Sequence, residues 1–150
     1  MSEQAVLEQS ALFKGFTEVG LRLFAGVAQL KAIPAGTPLF VENMVGESLF
    51  IVKSGAVRIT QHAEGGEKEL AVVGPGEHLG ALSLLGKTVR LVSAVAATSC
   101  EVVEIANRDF VRLQPEKPQA CLKLALAIAA DVAARVQETR DVLQRLTAGR

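Results

Sequence analysis

Residues 76–92 read GEHLGALSLLGKTVRLV, in which two glycines four residues apart are followed by a short apolar run and a lone arginine. Closely spaced glycines let backbone N–H groups converge on an anion, and an arginine supplies the matching charge. The pattern therefore predicts a phosphate site at residues 80–83 and Arg90. Two positions where such a site would use polar side chains are instead occupied by Ala81 and Leu91.

This stretch belongs to a longer zone, residues 31–106, that glycines divide into short apolar or alternating segments. Five segments have this character: LFIV (49–52), AVRIT (56–60), ELAVV (69–73), RLVSAVA (90–96) and EVVEI (101–105). Short strands separated by turn signals at intervals of about 8–12 residues predict a β-sandwich or barrel. Within the zone, residues 64–67 (EGGE) predict a hairpin turn, and ALSLLG (81–86) predicts one helical turn.

Helical patterns lie on both sides of this β-zone. Before it, apolar residues recur at helical intervals and Thr17 suits the N-cap position. After it, Asn107 is expected to cap a short helix. The sequence therefore predicts one α+β domain across all 150 residues, because this length forms a core of ordinary size. The expected parts are N-terminal helices in 1–30, the β-zone in 31–106, and hinge and C-terminal helices in 107–147.

A long C-terminal helix is predicted from Pro118, which suits the first turn of a helix, to about Leu146. Residues spaced alternately by three and four positions form a seam along it: Ala129, Val132, Val136, Thr139, Leu143 and Leu146. Such a seam is typical of a helix that pairs with another helix, and here it predicts a homodimer. The alternative is that the seam packs on the chain's own β-zone.

Composition restricts the possible partners and the compartment. A formal net charge of +0 gives no electrostatic argument for nucleic acid or a membrane surface. Cys100 and Cys121 form no disulfide or metal-binding spacing, which favours reduced thiols in a cytoplasmic protein. The polar N-terminus lacks the features of a signal peptide, and no apolar run is long enough to predict a membrane span. No DNA-reading helix fits after Leu146, so we expect no DNA partner.

Catalytic and metal-binding patterns are weak, and the sequence does not predict an enzyme. The triplet Gly86-Lys87-Thr88 is similar to the end of a P-loop, but Ala81 replaces the required glycine and a strand-like segment follows. The two histidines, His62 and His78, are too few for a cupin-like metal site. Neither a Ser–His–Asp nor a Cys–His arrangement is evident.

Two residues of the quoted stretch have structural alternatives. Arg90 is expected either to bind a phosphate or carboxylate or to form an internal ion pair, for instance with Glu77 or Glu47. His78 is expected to be a solvated loop residue rather than a ligand.

Four segments resemble the cyclic nucleotide-binding domain of the catabolite-activator type. They are IPAGTPLF (33–40), GESLFIVKSGAVRI (46–59), PGEHLGALSLL (75–85) with Arg90, and CEVVEI (100–105). The resemblance implies a jelly-roll-like β-roll of about eight strands with short N-terminal helices and a long C-terminal helix. It also implies a phosphate-binding cassette: a helix that presents N–H groups to the cyclic phosphate, an arginine that pairs with that phosphate, and a glutamate that binds the ribose 2′-hydroxyl.

The resemblance places the ligand-binding positions at Gly80, Ala81, Leu82, Ser83, Arg90 and Leu91. The family's Gly-Glu is Gly80-Ala81 here, and its Arg-Ser/Thr-Ala is Arg90-Leu91-Val92. The cassette therefore keeps its anion-binding half and lacks its sugar-binding half. Ser93 lies on the same strand face as Leu91 and would supply a hydroxyl if the strand slid by two residues.

Thr139 has a context similar to that of a family threonine that reaches the purine base. The alternative is a polar residue that fixes the register of the helical seam.

Two functions remain open from the sequence. The first is a stand-alone regulatory sensor that binds cAMP, cGMP or a related phosphate ligand and needs no other cofactor. The second is a dimerising protein–protein interaction module that has lost the ligand and acts within a larger assembly.

Overall fold

The computed structural model describes residues 2–140, 142, 144 and 145. Helix α1 (Glu3–Gln9), a 3₁₀ turn (Ala11–Phe13) and helix α2 (Glu18–Ala25) open the chain. The hydroxyl of Thr17 accepts a hydrogen bond from the Gly20 amide at 3.2 Å, which confirms the predicted N-cap of α2.

The described residues form ten strands. They are β1 (Gln29–Ile33), β2 (Pro38–Phe40), β3 (Val45–Gly46), β4 (Ser48–Ser54), β5 (Val57–Ala63), β6 (Gly66–Val73), β7 (His78–Leu79), β8 (Thr88–Val89), β9 (Ser93–Ala96) and β10 (Cys100–Ala106). One antiparallel sheet has the order β1-β10-β4-β7, a second has the order β2-β9-β5-β6, and β3 pairs with β8. This arrangement confirms the predicted β-roll between helices, and the predicted hairpin turn joins β5 to β6.

Strand β4 explains why LFIV is apolar without alternation, because it is buried on both faces. Leu49 and Ile51 join a core cluster shared with the helices. Phe50 and Val52 join a second cluster in the interior of the roll. The strand thus separates two apolar layers.

Three further helices follow: α3 (Leu82–Leu85), α4 (Asn107–Leu113) and α5 (Pro118–Glu138). The predicted helical turn in 81–86 and the position of Pro118 in the first turn of α5 are both confirmed. The predicted cap at Asn107 is wrong, because Ala106 is the N-cap and Asn107 is the first helical residue. The Asn107 side chain instead donates to the Leu84 carbonyl at 2.6 Å and so ties α4 to α3.

Helix α5 has 21 residues and a length of about 32 Å. Its last residue is Glu138, and Thr139 is the C-cap, whose hydroxyl donates to the Val136 carbonyl at 2.8 Å. Helical structure resumes at Arg140. The uninterrupted helix predicted to Leu146 therefore has a break at Thr139. Leu143 and Leu146, which belong to the predicted seam, lie outside the described residues. Within the described part of the chain, no helix has the length and apolar character needed to cross a membrane.

Candidate functional site

Two glycines make room for the side chain of Arg90. Gly80 has a φ of +71°, in the left-handed region that favours glycine, and an added Cβ there would lie 2.0 Å from Nη1 of Arg90. An added Cβ at Gly46 would lie 2.3 Å from Nε of Arg90 and 2.4 Å from Oγ of Ser83. The position of the Arg90 side chain therefore depends on the absence of a Cβ at both Gly80 and Gly46, which is more distant in sequence. Gly80 is among the site positions predicted from the sequence, whereas Gly46 is not.

Arg90 is buried, with 6% of its surface exposed. Its guanidinium donates through Nη2 to the Ser48 carbonyl at 2.8 Å and through Nη1 to the Gly80 carbonyl at 3.3 Å. The guanidinium carbon lies 4.1 Å from the centroid of the Phe40 ring, a cation–π contact. The side chain therefore points into the protein and is held by neutral groups.

The positive charge of Arg90 has no carboxylate in contact with it among the described residues. The alternative of an ion pair with Glu77 is not realised, since that carboxylate accepts a hydrogen bond from the Gly74 amide at 2.9 Å. Nε of Arg90 is buried and has no hydrogen-bond partner in the described structure. Desolvation by burial lowers the pKa of Arg90, and the negative charge of Glu104 offsets this only in part. A buried cation with a spare donor is a suitable partner for an anion.

Residues 81–83, at the start of α3, differ in burial and in their contacts. Ala81 is 8% exposed and packs in the core cluster shared with the helices. Ser83 is buried, and its hydroxyl pairs with that of Thr88 at 2.9 Å. Leu82 is exposed. The position that a glutamate occupies in the resembled family is therefore an apolar packing site here.

Leu91, in contrast to the buried Ala81, has 75% of its surface exposed. Its backbone carbonyl accepts a hydrogen bond from Nε2 of Gln61 at 3.4 Å. Ser93, which would supply the missing hydroxyl if the strand slid by two residues, is buried and accepts a hydrogen bond from the Glu42 amide at 2.9 Å. Its hydroxyl thus fixes the loop before β3.

Several large apolar side chains that are close to Arg90 in sequence or in strand pairing are exposed: Met44, Val45, Leu82, Leu85, Val89 and Leu91. Val45 and Val89 are paired across β3 and β8, and the Met44 carbonyl accepts from the Arg90 amide at 2.8 Å. This pairing brings Val45 and Val89 together although they are distant in sequence.

His78 links the cassette to the C-terminal helix. It lies in β7, and its Nε2 is 3.0 Å from Oδ2 of Asp131 on α5, which also accepts from Nε of Arg135 at 3.0 Å. The prediction that His78 is a solvated loop residue is wrong, since its side chain is only 9% exposed. Burial is the largest single influence on Asp131 and acts to raise its pKa. The hydrogen bonds and charges of His78 and Arg135 together outweigh burial, so the pKa of Asp131 is lowered overall. His78 and Asp131 are 53 positions apart in sequence, so no local spacing pattern predicts the pair.

The remaining candidates have structural roles. The hydroxyl of Thr139 is used within its own helix. Cys100 and Cys121 are buried free thiols, and burial raises the pKa of Cys121. In the part of the chain that the structure describes, no three metal-ligating side chains form a group that could hold an ion.

Comparison with known proteins gives a consistent result. The family model described as "Cyclic nucleotide-binding domain" matches residues 30–116. The cyclic AMP receptor protein of Thermus thermophilus is 34% identical over 124 residues, which are 82% of this chain and 57% of that protein. The chain thus spans a little over half the length of this relative.

Solved structures agree with the β-roll architecture. The catabolite activator protein of Thermus thermophilus superposes with a TM-score of 0.81 at 34% identity, over 92% of this chain and 63% of that one. The regulatory domain of Toxoplasma gondii PKA, whose structure was solved with cAMP, superposes with a TM-score of 0.67 at 33% identity, over 73% of this chain and 42% of that one.

Proposed function

Because the chain belongs to the cyclic nucleotide-binding domain family, we propose that it is a regulatory sensor domain whose ligand, a cyclic nucleotide or a related phosphate compound, binds at Arg90 and residues 80–83. The observation that carries this proposal is the state of Arg90: a buried guanidinium with neutral partners, whose Nε has no hydrogen-bond partner among the described residues. A ligand phosphate would compensate the buried charge and take up the spare donor.

Family relatives support cAMP or cGMP as the first ligands to test. The Toxoplasma gondii regulatory domain is named as a complex with cAMP, and the Thermus thermophilus relative is named as a cyclic AMP receptor. Ala81 has no carboxylate to accept the ribose hydroxyl, so we expect the phosphate to dominate recognition in this chain.

Two contacts are suited to pass a change in the cassette to the C-terminal helices. Asn107 holds α4 to the end of α3, and His78 holds β7 to α5 through Asp131. A ligand that draws α3 toward Arg90 would strain the Asn107 contact directly, and a ligand that also shifts β7 would strain the His78 contact. Such a ligand shifts the orientation of α4 and α5 only by as much as its affinity differs between the two arrangements.

Calorimetric titration tests the proposal. We expect cAMP or cGMP to bind to the wild-type chain and Arg90→Gln to abolish binding, since the substitution removes the charge. Arg58→Gln, which removes an exposed arginine from β5, is the matched control and should bind as wild type. Circular dichroism would verify that both variants are folded. Absence of heat and of a thermal shift with cAMP, cGMP and cyclic dinucleotides at millimolar concentration would reject the sensor function.

A specific observation also favours the second function, a dimerising module. An exposed stripe on α5 consists of Leu122, Leu126, Ala129, Ala133 and Val136, spaced by four and three residues in turn. This stripe differs from the predicted seam, because Val132 packs against the chain's own core. The stripe faces away from the core, and its alternating spacing is that of a helix that meets a second helix.

Light scattering distinguishes a dimer from a monomer. We expect the wild-type chain to be a dimer and Leu126→Glu to be a monomer, because the charge would lie at the centre of the stripe. Gln137→Glu, an exposed position beside the stripe, carries the same added charge and should remain dimeric. A wild-type monomer at about 100 µM, far above the usual dissociation constants of specific dimers, would refute the dimer.

A further inference from the structure

A cavity lies between α2 and the beginning of α5, away from the cassette. Its volume is about 550 Å³, which falls within the range of about 300–1,000 Å³ common for small-molecule sites. Phe16, Leu23 and Ala120 contribute apolar surface to its wall. Gly20, also in the wall, has no side chain to fill the space.

The charged side chains that line this cavity are all cationic. The described residues that line it include Arg22, Lys117 and Lys123 and no carboxylate. The amine of Lys123 donates to the Gly15 carbonyl and lies 4.9 Å from the centroid of the Phe16 ring. This lysine is therefore fixed at the cavity, and an ammonium group has donors left after one hydrogen bond. Arg22 pairs with Glu18 at 3.6 Å in an exposed contact of the kind that contributes little.

We propose that this cavity is a second ligand site and that it binds an amphipathic carboxylate, a medium-chain aliphatic acid whose chain packs on Phe16, Leu23 and Ala120 while its carboxylate meets Arg22 and Lys117. The combination of an apolar wall and cationic side chains favours an amphipathic carboxylate as the ligand. A neutral apolar molecule would gain no electrostatic attraction from the cations, and a small inorganic anion would leave the apolar wall exposed to water.

The site is separate from the cassette, although helix α5 contributes to the cavity and also contacts His78 through Asp131. Ala120 and Asp131 are eleven residues apart on α5, which is a distance of about 16 Å along the helix axis. The proposal does not depend on nucleotide binding, since none of its residues contacts Arg90.

Titration with decanoate tests the site, with acetate and decyltrimethylammonium as probes that lack the chain or reverse the charge. The chain contains no tryptophan or tyrosine, so calorimetry and amide NMR shifts are the suitable readouts. We expect one decanoate per chain, amide shifts centred on Gly20 and Ala120, and no binding of either control probe.

Two pairs of variants make the test specific. Arg22→Gln with Lys117→Gln should weaken decanoate binding by about tenfold or more. The matched double variant Arg58→Gln with Lys68→Gln also removes an arginine from an exposed ion pair and one lysine, and it should bind as wild type. Ala120→Leu should fill the cavity and abolish binding, whereas Ala130→Leu, at an exposed position of the same helix, should not.

Four results would overturn the proposal: no decanoate binding at about 1 mM, equal weakening in the two double variants, full binding by Ala120→Leu, or equally tight binding of decyltrimethylammonium. Arg90→Gln should leave decanoate binding intact, which separates this site from the cassette.

Discussion

The placement of Arg90 depends on the absence of a side chain at Gly46, and Gly46→Ala examines that dependence directly. An added Cβ would lie 2.3 Å from Nε and 2.5 Å from Cζ of the arginine, far inside van der Waals contact. The backbone at Gly46 is not in the left-handed region, so the effect would be steric alone. The guanidinium would have to leave its position and its bond to the Ser48 carbonyl.

The expected cost of Gly46→Ala is about 2 kcal/mol. Overpacking of a filled interior costs about 1–3 kcal/mol, and loss of a hydrogen bond from a charged donor costs about 1.5–3 kcal/mol. These overlap, because moving the arginine relieves the clash while it breaks the bond. For a chain of this size, about 2 kcal/mol corresponds to a fall of roughly 4–8 °C in the melting temperature.

Thermal and urea unfolding would measure this cost, with Gly74→Ala as the control because no atom lies within 4 Å of the Cβ it would add. In an Arg90→Ala background the cost of Gly46→Ala should fall without vanishing, since the clash with the guanidinium is gone but Oγ of Ser83 still lies 2.4 Å from the added Cβ. If Gly46→Ala behaves like Gly74→Ala, or if its cost is unchanged in the Arg90→Ala background, the arginine does not occupy the position described.

Two further predictions follow from named contacts. If cAMP binds, the dissociation constant of 2′-deoxy-cAMP should lie within about twofold of that of cAMP, because Ala81 cannot accept a hydrogen bond from the 2′-hydroxyl. A preference for cAMP of tenfold or more, equivalent to about 1.4 kcal/mol, would show that another group binds the ribose hydroxyl. Asp131→Asn should lower the melting temperature at neutral pH, and its effect should shrink as the pH falls below the ordinary carboxyl value of 3.8. The sign follows from the lowered pKa of Asp131: its contribution is present above that value and is lost as the carboxylate is protonated. Glu138→Gln, at an exposed position, is the control for this pH series, and a pH-independent effect of Asp131→Asn would refute the ionic contact.

The β-zone could be predicted from sequence because each strand carries its own signal. Strand β4 is apolar throughout since both its faces are buried, and the turn between β5 and β6 has glycine where φ is positive. The two-residue strands β3 and β8 were missed because so short a segment has no periodicity to detect. Their pairing is defined by Val45 and Val89, which are distant in sequence.

The candidate site was predictable in its local part only. The cassette glycine Gly80 and Arg90 are ten residues apart, and their side-chain-to-backbone bond confirms that they meet. Phe40, Gly46 and Ser48 come from an earlier part of the chain and surround the same guanidinium. No spacing rule connects them to Arg90, because the roll brings them together through strand pairing.

Ala81 and Leu91 are the two positions at which the predicted cassette departs from the resembled family. They differ in how readily they would accept a polar side chain. Ala81 is buried in the core shared with the helices, so Ala81→Glu would place a carboxylate in an apolar cluster and would destabilise the fold unless its side chain turned toward the ligand. Leu91 is exposed, so Leu91→Ser removes little packing and should be tolerated. If Ala81 and Leu91 hold the positions that the resemblance assigns to them, a hydroxyl at position 91 is easier to introduce than a carboxylate at position 81, which also requires the surrounding core to change. A ligand that this chain binds should accordingly be recognised through its phosphate.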